Sequence, residues 1–567
     1  MKYFIILILL TFSQLTLAQK STRALKATYL KSYNGKPIEG QDPIILFADA
    51  DQTVLTTEEI VSRKAIFPYE RSFVNRKTNH YIQAARLSSS EEVFTIDSTS
   101  LEKQTFEFLS DTKNILGYNC KKARTVVNSN TIEIWYTTDT GIKGAPSVLG
   151  QNLGFVLEVN RNNNFIITAT RIEKIKAIPE NVILPKSDFQ TMDLLSYRDL
   201  LWKARFTTIK VFDNEIINFD ASNQAKTELG ETKSNDNILR FANGTIILKK
   251  VRIPKITPGS QIYVDLTEQS NGDAYDRTGS VFLIPMDGRI SFLDGLQNGA
   301  KTLPCYENGN GKSYPGVVRT EAYSPLIELM RFFTPFGIKQ YNNLQLKDKT
   351  WEESAFYRQE ISELVTALDN QEVYIGTFIG NYDKGGHKIS LNLTIHAEEN
   401  KTPKSNMAFP IFNTTNVMEM AGQDYATMFN NEKGLEVTFT LDKDVKNARL
   451  RYITTGHGGW ENGDEYLQKK NTIVLDSKEA FGFVPWRTDC GSYRLYNPAS
   501  GNFNNGLSSS DYSRSNWCPG MAANPVYIDL GDLEAGRHTL SVKIPLGAVE
   551  GGSFSFWNVS GVIIGEE

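Results

Sequence analysis

Cysteine and histidine are scarce in this chain, with four and five respectively in 567 residues. His80, His387, His396, His457 and His538 are scattered, with no spacing that assembles a zinc ligand set. No metal or nucleotide cofactor is therefore expected. An excess of one charge is missing too. Lys and Arg total 61 against 65 Asp and Glu, a net charge of −4, which argues against nucleic acid or an anionic membrane surface as partner. A long apolar run is wanting except at the very start. Lys2, the apolar stretch Phe4 to Leu10 and the small-residue site Thr16-Leu17-Ala18 have the form of a secretory signal over 1–18. Its apolar core is too short for a comfortable bilayer span, and no cysteine follows it to carry a lipid. The expectation is an exported protein without membrane insertion, periplasmic or extracellular in a bacterium.

What is present points to β-structure. Aromatics make up 11%, including 24 Tyr and 7 Trp, a composition that suits strand packing and also sugar binding. Length alone calls for about three to four domains. The segment 19–184 reads as a β-rich accessory domain, with short alternating runs such as Ala24 to Tyr33 and Thr131 to Thr137. Pro185 to Ala204 reads as a connecting helix over 185–204, with Ser187 and Asp188 as candidate caps. Beyond it the pattern is strands, broken by one helical insertion, Trp351 to Leu368, with Ile361, Leu364 and Leu368 on one face. The charged, proline-broken stretch 397–404 is a linker between sandwiches at 205–396 and 405–567. The four cysteines allow three pairings. Cys490–Cys518 is chosen because the Gly/Ser/Asn-rich loop between them buries too little to order itself.

Three stretches carry chemistry. Ser270-Asn271-Gly272-Asp273-Ala274-Tyr275-Asp276-Arg277-Thr278-Gly279 joins two apolar, β-branched runs. It sets a carboxylate base, a fixed cation and a sugar-stacking ring in one loop. Thr454-Thr455-Gly456-His457-Gly458-Gly459-Trp460-Glu461-Asn462-Gly463-Asp464-Glu465-Tyr466 repeats the design, a strand emptying into a Gly-rich, acidic loop. The third is Ser513-Arg514-Ser515-Asn516-Trp517-Cys518-Pro519-Gly520-Met521-Ala522. Taken singly, such residues are more often solvated turn or surface groups. His457 has no serine or cysteine motif to activate and reads as a loop or sugar-contact residue.

In series, these motifs resemble the peptide-N-glycosidase F family over about 206–567. The likeness rests on Asp-x-x-Asp-Arg at 273–277, on Gly463-x-Glu465 with Ile473 beyond it, and on Arg514-x-x-Trp517-Cys518-Pro519-Gly520-Met521-Ala522. Arg331-Phe332-Phe333-Thr334-Pro335-Phe336 matches a strand-edge segment. Thr112 to Ala123 and Ile134 to Asp139 resemble a second family, exported domains named for a Gly-Leu-Pro-Gly-Leu-Ile motif, whose function does not carry over.

The first resemblance implies two adjacent eight-stranded antiparallel jelly-roll sandwiches, a mainly β chain overall. It also implies hydrolysis of the amide joining asparagine to the innermost GlcNAc of N-glycans. The substrates would be N-glycosylated peptides and glycoproteins, taken by a monomer. Asp276 and Glu465 fall on the catalytic carboxylates. Asp273, Tyr275, Arg277, Arg514 and Trp517 fall on substrate-binding positions, and Cys490 with Cys518 on a family disulfide. Where the family has a third acid in Thr-Glu-Thr-Trp, this chain has Ile375-Gly376-Thr377-Phe378. Gly376 and Phe378 are thus expected at the sugar, with the missing side chain admitting a core α1,3-fucose. Alternatives are a glycan-binding protein that has lost turnover at Gly376, or an adhesin docked through its first domain.

Overall fold

The computed structural model describes residues 24–184, 189–220, 222, 237–341, 347–397, 405–415, 427–429, 431–458, 463–498, 509–547 and 555–567. The secretory segment 1–18, the caps proposed at Ser187 and Asp188, and linker residues 398–404 lie outside that set. The chain divides into two compact units, 1–205 and 206–567. Among the described residues no helix is long and apolar enough to cross a membrane.

The first unit is one twelve-stranded antiparallel sheet. Its first strand, Ala24–Tyr33, runs beside its last, Phe165–Ile175, so the chain ends meet at the centre and hairpins spread outward. The helix that follows is shorter than the sequence suggests, Leu194–Lys203. Asp193 caps it, accepting hydrogen bonds from the Leu195 and Ser196 amides at 3.0 Å. The position just before the first helical residue, where amides lack partners, is where an Asp is most effective.

The second unit holds two sandwiches. In the first, a four-stranded sheet (Thr207–Ile217, His387–His396, Gln261–Ser270, Ala355–Glu360) faces a six-stranded one. Val211, Val264 and Leu391 of one pack against Ile247, Val281, Leu329 and Ile375 of the other. In the second sandwich both sheets have four strands. The first has ten, two above the expected eight, and one of them is Ala522–Ala523, which crosses from the second to pair with Arg331 and Phe332. The expected helix at 351–368 is instead the strand Ala355–Glu360 followed by a 3-10 turn, Ser362–Ala367. Ala355, Tyr357 and Gln359 alternate inward, and that period of two outweighs the helical spacing of Ile361, Leu364 and Leu368, which bury from the turn.

Two buried arginines weld the sandwiches. Arg331, expected at a sheet edge, is fully enclosed. A bulge lets Val281 and Phe282 face Met330 and Glu328, skipping Leu329. The extra residue brings Glu328 and Arg331 to one face. There Arg331 donates to both Glu328 oxygens at 3.0 and 2.6 Å, and across the seam to Thr455 Oγ1, Thr415 Oγ1 and the Asn558 carbonyl. Arg451 reaches back from the second sandwich to Glu363 and to the carbonyls of Glu328 and Leu329. Arg331, Glu328, Arg451 and Glu363 are each paired and hydrogen-bonded, the condition under which burial is tolerated.

Candidate active site

The loop 271–277 leaves the strand Gln261–Ser270 and enters Thr278–Ile284. It is fastened at both ends. The Asn271 amide donates to the Gly386 carbonyl at 2.8 Å, and the Arg277 amide to Thr334 Oγ1 at 2.8 Å. The contact at 386 needs glycine: its φ is +60° and a Cβ there would meet the Ile217 carbonyl at 2.1 Å. Inside the loop Asp273 is buried and clamps Arg277 in a fork, Nε to Oδ2 at 2.6 Å and Nη2 to Oδ1 at 3.0 Å. Arg277 and His387 hold the Asp273 carboxyl far below the usual range, outweighing the opposing effect of burial. Asp273 is thus committed internally rather than offered to a ligand. Tyr275 is exposed (52%), with the Arg277 guanidinium 5.3 Å from its ring centre.

Glu465 and Arg514 come from the second sandwich, and Ser515 ties their segments together. Its amide donates to the Glu465 carbonyl at 2.9 Å and its hydroxyl to the Asp464 carbonyl at 2.6 Å. Asp464 is pinned in turn by the Trp557 indole at 3.0 Å and the Gly547 amide at 2.9 Å. Cys490 and Cys518 are bonded, as the sequence suggested, while Cys120 and Cys305 are free.

The three groups converge. A single nitrogen of Arg514, Nη1, donates to Asp276 Oδ2 at 3.1 Å and to Glu465 Oε1. Both carboxylates are 16% exposed, and the arginine between them is almost fully enclosed. Burial pushes the Asp276 carboxyl upward against the pull of Arg514 and Arg277. Burial pushes Glu465 up to about 7; Arg514 opposes the rise, and the neighbouring Asp276 charge adds to it. Two carboxyls on one cation, one of them raised to about 7, are groups able to pass a proton near neutral pH. Tyr466 hydrogen-bonds Glu465 and lies under the Arg514 guanidinium, 5.3 Å away.

Other expected residues sit elsewhere. Gly376 and Phe378 face away from the sandwich core, into a cluster with Leu248, Phe282 and Phe292 that the helix Phe292–Asn298 covers. A Cβ on Gly376 would meet Leu248 Cδ2 at 2.3 Å and Phe282 Cζ at 2.5 Å. The glycine opens no space for sugar: Leu248 and Phe282 already fill it. Phe378 is core. His457 and Trp517 are likewise buried. His457 accepts from or donates to Thr455 Oγ1 at 2.8 Å and packs against Phe556 and Trp517. Burial holds it well below the usual imidazole range, with Arg331 and Arg514 adding to the effect. Trp517 stacks on Phe333 at 4.3 Å and supports the Arg514 guanidinium, 4.2 Å from its ring centre. They brace the site from behind. Gly459 to Asn462 lie outside the described residues.

Three family models tile the chain. Residues 27–199 match the N-terminal domain of N-glycanase peptide, 208–395 the N-terminal domain of peptide-N-glycosidase F, and 424–564 its C-terminal domain. The chain belongs to the peptide-N-glycosidase F family. Within that family it is similar to PNGF-II, solved in C2 and P21 space groups. Each is 56% identical with a TM-score of 0.86, and the match covers 96% of this chain and 98% or 100% of the solved one. A more distant match is PNGase F from Flavobacterium meningosepticum, described as a glycosylasparaginase. It is 16% identical, with a TM-score of 0.40, over 64% of this chain and 96% of that one. Comparison with curated proteins gives no match.

The family motifs account for Asp276, Glu465 and Arg514. They do not account for Tyr466, Glu268 or His387, which the structure adds. Glu268 follows Ile262, Val264 and Leu266 on one inward stripe, and His387 precedes Ile389, Leu391 and Leu393 on another. A titratable residue where the period of two calls for an apolar one was the available signal.

Proposed function

We propose that this protein hydrolyses the side-chain amide between asparagine and the innermost GlcNAc of N-linked glycans. The observation that carries the reading is the one arginine nitrogen shared by Asp276 and Glu465, which come from different sandwiches. Asp276, paired with Arg514 and next to Arg277 in the chain, takes a proton from water. The oxygen of that water bonds to the asparagine Cγ. As the carbon–nitrogen bond breaks, Glu465 supplies a proton to the departing nitrogen. The products are an aspartate in the peptide and a glycosylamine, which loses ammonia in water. A carboxyl at about 7 is half protonated near neutral pH, the state in which donation is efficient. Exposed Tyr275 offers a ring face for a sugar.

The enzyme acts, in this reading, as an exported bacterial monomer on glycopeptides and glycoproteins. Cleavage of core α1,3-fucosylated ones, expected from space at Gly376, loses that ground because Leu248 and Phe282 fill it. The test is mass spectrometry of two N-glycopeptides, with and without the fucose, incubated with the mature protein. Conversion of Asn to Asp that vanishes in Asp276→Asn is the expected result. Glycan binding without conversion overturns the amidase in favour of a lectin, and cleavage of only the unfucosylated peptide removes the fucose element.

A further inference from the structure

Behind the loop that carries Asp276 lies a row of charges whose two innermost members, Glu268 and His387, the proposed reaction does not use. Glu268, on Gln261–Ser270, and His387, at the head of His387–His396, are fully buried. The strands pair so that Ser270 faces His387. The imidazole lies between two carboxylates, with Nδ1 2.8 Å from Glu268 Oε1 and Nε2 3.4 Å from Asp273 Oδ2. Asp273 then holds Arg277 by its fork. The order is carboxylate, imidazole, carboxylate, guanidinium.

A neutral imidazole has one N–H and one lone pair. Between two carboxylates it would satisfy one and aim its lone pair at the other, in a setting sealed from water. An imidazolium donates to both, and the row then has two negative and two positive members with no net charge. Burial disfavours the charged ring, but Asp273 and Glu268 outweigh it and raise His387 to about 9. Facing the imidazole are Glu268 from its neighbouring strand and, from the loop, Asp273 with Arg277 behind it. Tyr357, opposite Leu266 on the strand Ala355–Glu360, is also within electrostatic reach of Glu268. Its hydroxyl donates to the Phe333 carbonyl at 2.8 Å.

We propose that His387 is a positioning residue: as an imidazolium bridging Glu268 and Asp273, it fixes the 271–277 loop that carries Asp276 and, through Asp273, the place of Arg277 next to Asp276 in that loop. The pull that Arg277 exerts on the Asp276 carboxyl depends on where Asp273 holds the guanidinium. Asp273 depends on a cation behind it. His387 touches neither water nor substrate in this scheme. It acts through Asp273 and Arg277 on the acid strength of Asp276. The inference rests on the reading of Asp276 as the base.

Two measurements test it, one independent of activity. With histidine labelled at Cε1, the His387 signal of the intact protein is followed by NMR from pH 5 to 10. The expected titration midpoint lies well above neutrality, and it falls in Glu268→Gln. A ring already neutral at pH 7 overturns the proposal whether or not the protein cleaves glycopeptides. The second is the acid limb of kcat/KM. Replacing the cation in His387→Gln leaves the row net negative, so the limb moves to higher pH. Glu268→Gln leaves it net positive, so the limb moves the other way. Opposite displacements are the signature of charge, and a packing role would not produce them. Limbs that coincide with wild type, or that move together, overturn the proposal. If His387→Gln fails to fold, Glu268→Gln and the wild-type titration still decide.

Discussion

Arg514 holds two acids with one nitrogen, which makes it the residue least open to conservative replacement. Lysine has a point charge and lacks the planar fork that stacks on Trp517. Removing one partner of a buried charge cluster costs about 2–5 kcal/mol, and each 1.36 kcal/mol on a barrier is tenfold. Arg514→Ala is therefore expected to lower kcat/KM by at least about a hundredfold, and Arg514→Lys to recover little of it, measured on a glycopeptide at neutral pH. Glu465 gives a second prediction with a definite sign. Its folded pKa, about 7, lies above the ordinary value of 4.5. The stability tied to its proton is fully present below pH 4.5 and is lost as pH rises through 7. Glu465→Gln, permanently neutral, should thus be more stable than wild type at pH 8, by up to about 3 kcal/mol, with the gap closing towards pH 4.5. Denaturant unfolding across that range checks it. An inactive variant that is more stable than its parent marks a residue kept for chemistry.

At the scale of a strand, parity decides what a residue does. Glu372–Ile379 alternates two faces: Ile375 and Ile379 enter the sandwich core, while Gly376 and Phe378 turn to the helix-covered side. Gly376→Glu would put a carboxylate where Leu248 and Phe282 pack. Overpacking alone costs about 1–3 kcal/mol, and an unpaired buried charge adds to it. The expected outcome is a lower melting temperature, read by calorimetry, with any loss of cleavage tracking unfolding rather than the presence of fucose. The motif loops were legible in sequence only as a series: residues that are ordinary in solvated turns one by one recur in a fixed order. Which way Gly376 faces was not legible. It depends on the helix Phe292–Asn298 lying over that side of the sheet, a contact that no local pattern records. Glu268 and His387 fell between these cases, since each breaks an apolar stripe that was readable by itself. The helical spacing of Ile361, Leu364 and Leu368 misled because a 3-10 turn buries the same residues.

The second unit as a whole depends on its seam. Asp276 stands on one side of it, and Glu465 and Arg514 on the other. Arg331→Ala would strand Glu328 among Ser280 and Ser560, which hydrogen-bond it at 2.9 and 2.6 Å. Breaking a buried pair in this way costs about 3–5 kcal/mol. Arg331→Met together with Glu328→Gln should cost less than Arg331→Ala, because no charge is left unpaired. Chemical denaturation of the two variants, fitted with a common slope, checks the order. Antiparallel β-structure and the two-part division were visible in the strand pattern. The seam was not, because Arg331 and Arg451 resemble ordinary strand residues until their partners, far along the chain, are brought to them.

Ala522–Ala523 gives the seam a consequence for descent. A strand that begins in one sandwich and completes the sheet of the other cannot be shuffled between genes with either half. A recombination event between the halves would leave one product with an open sheet edge and the other with a strand that has nothing to join. Arg331 and Arg451 would each be left facing a surface that no longer answers them. On these contacts, separating the two sandwiches costs both of them at once.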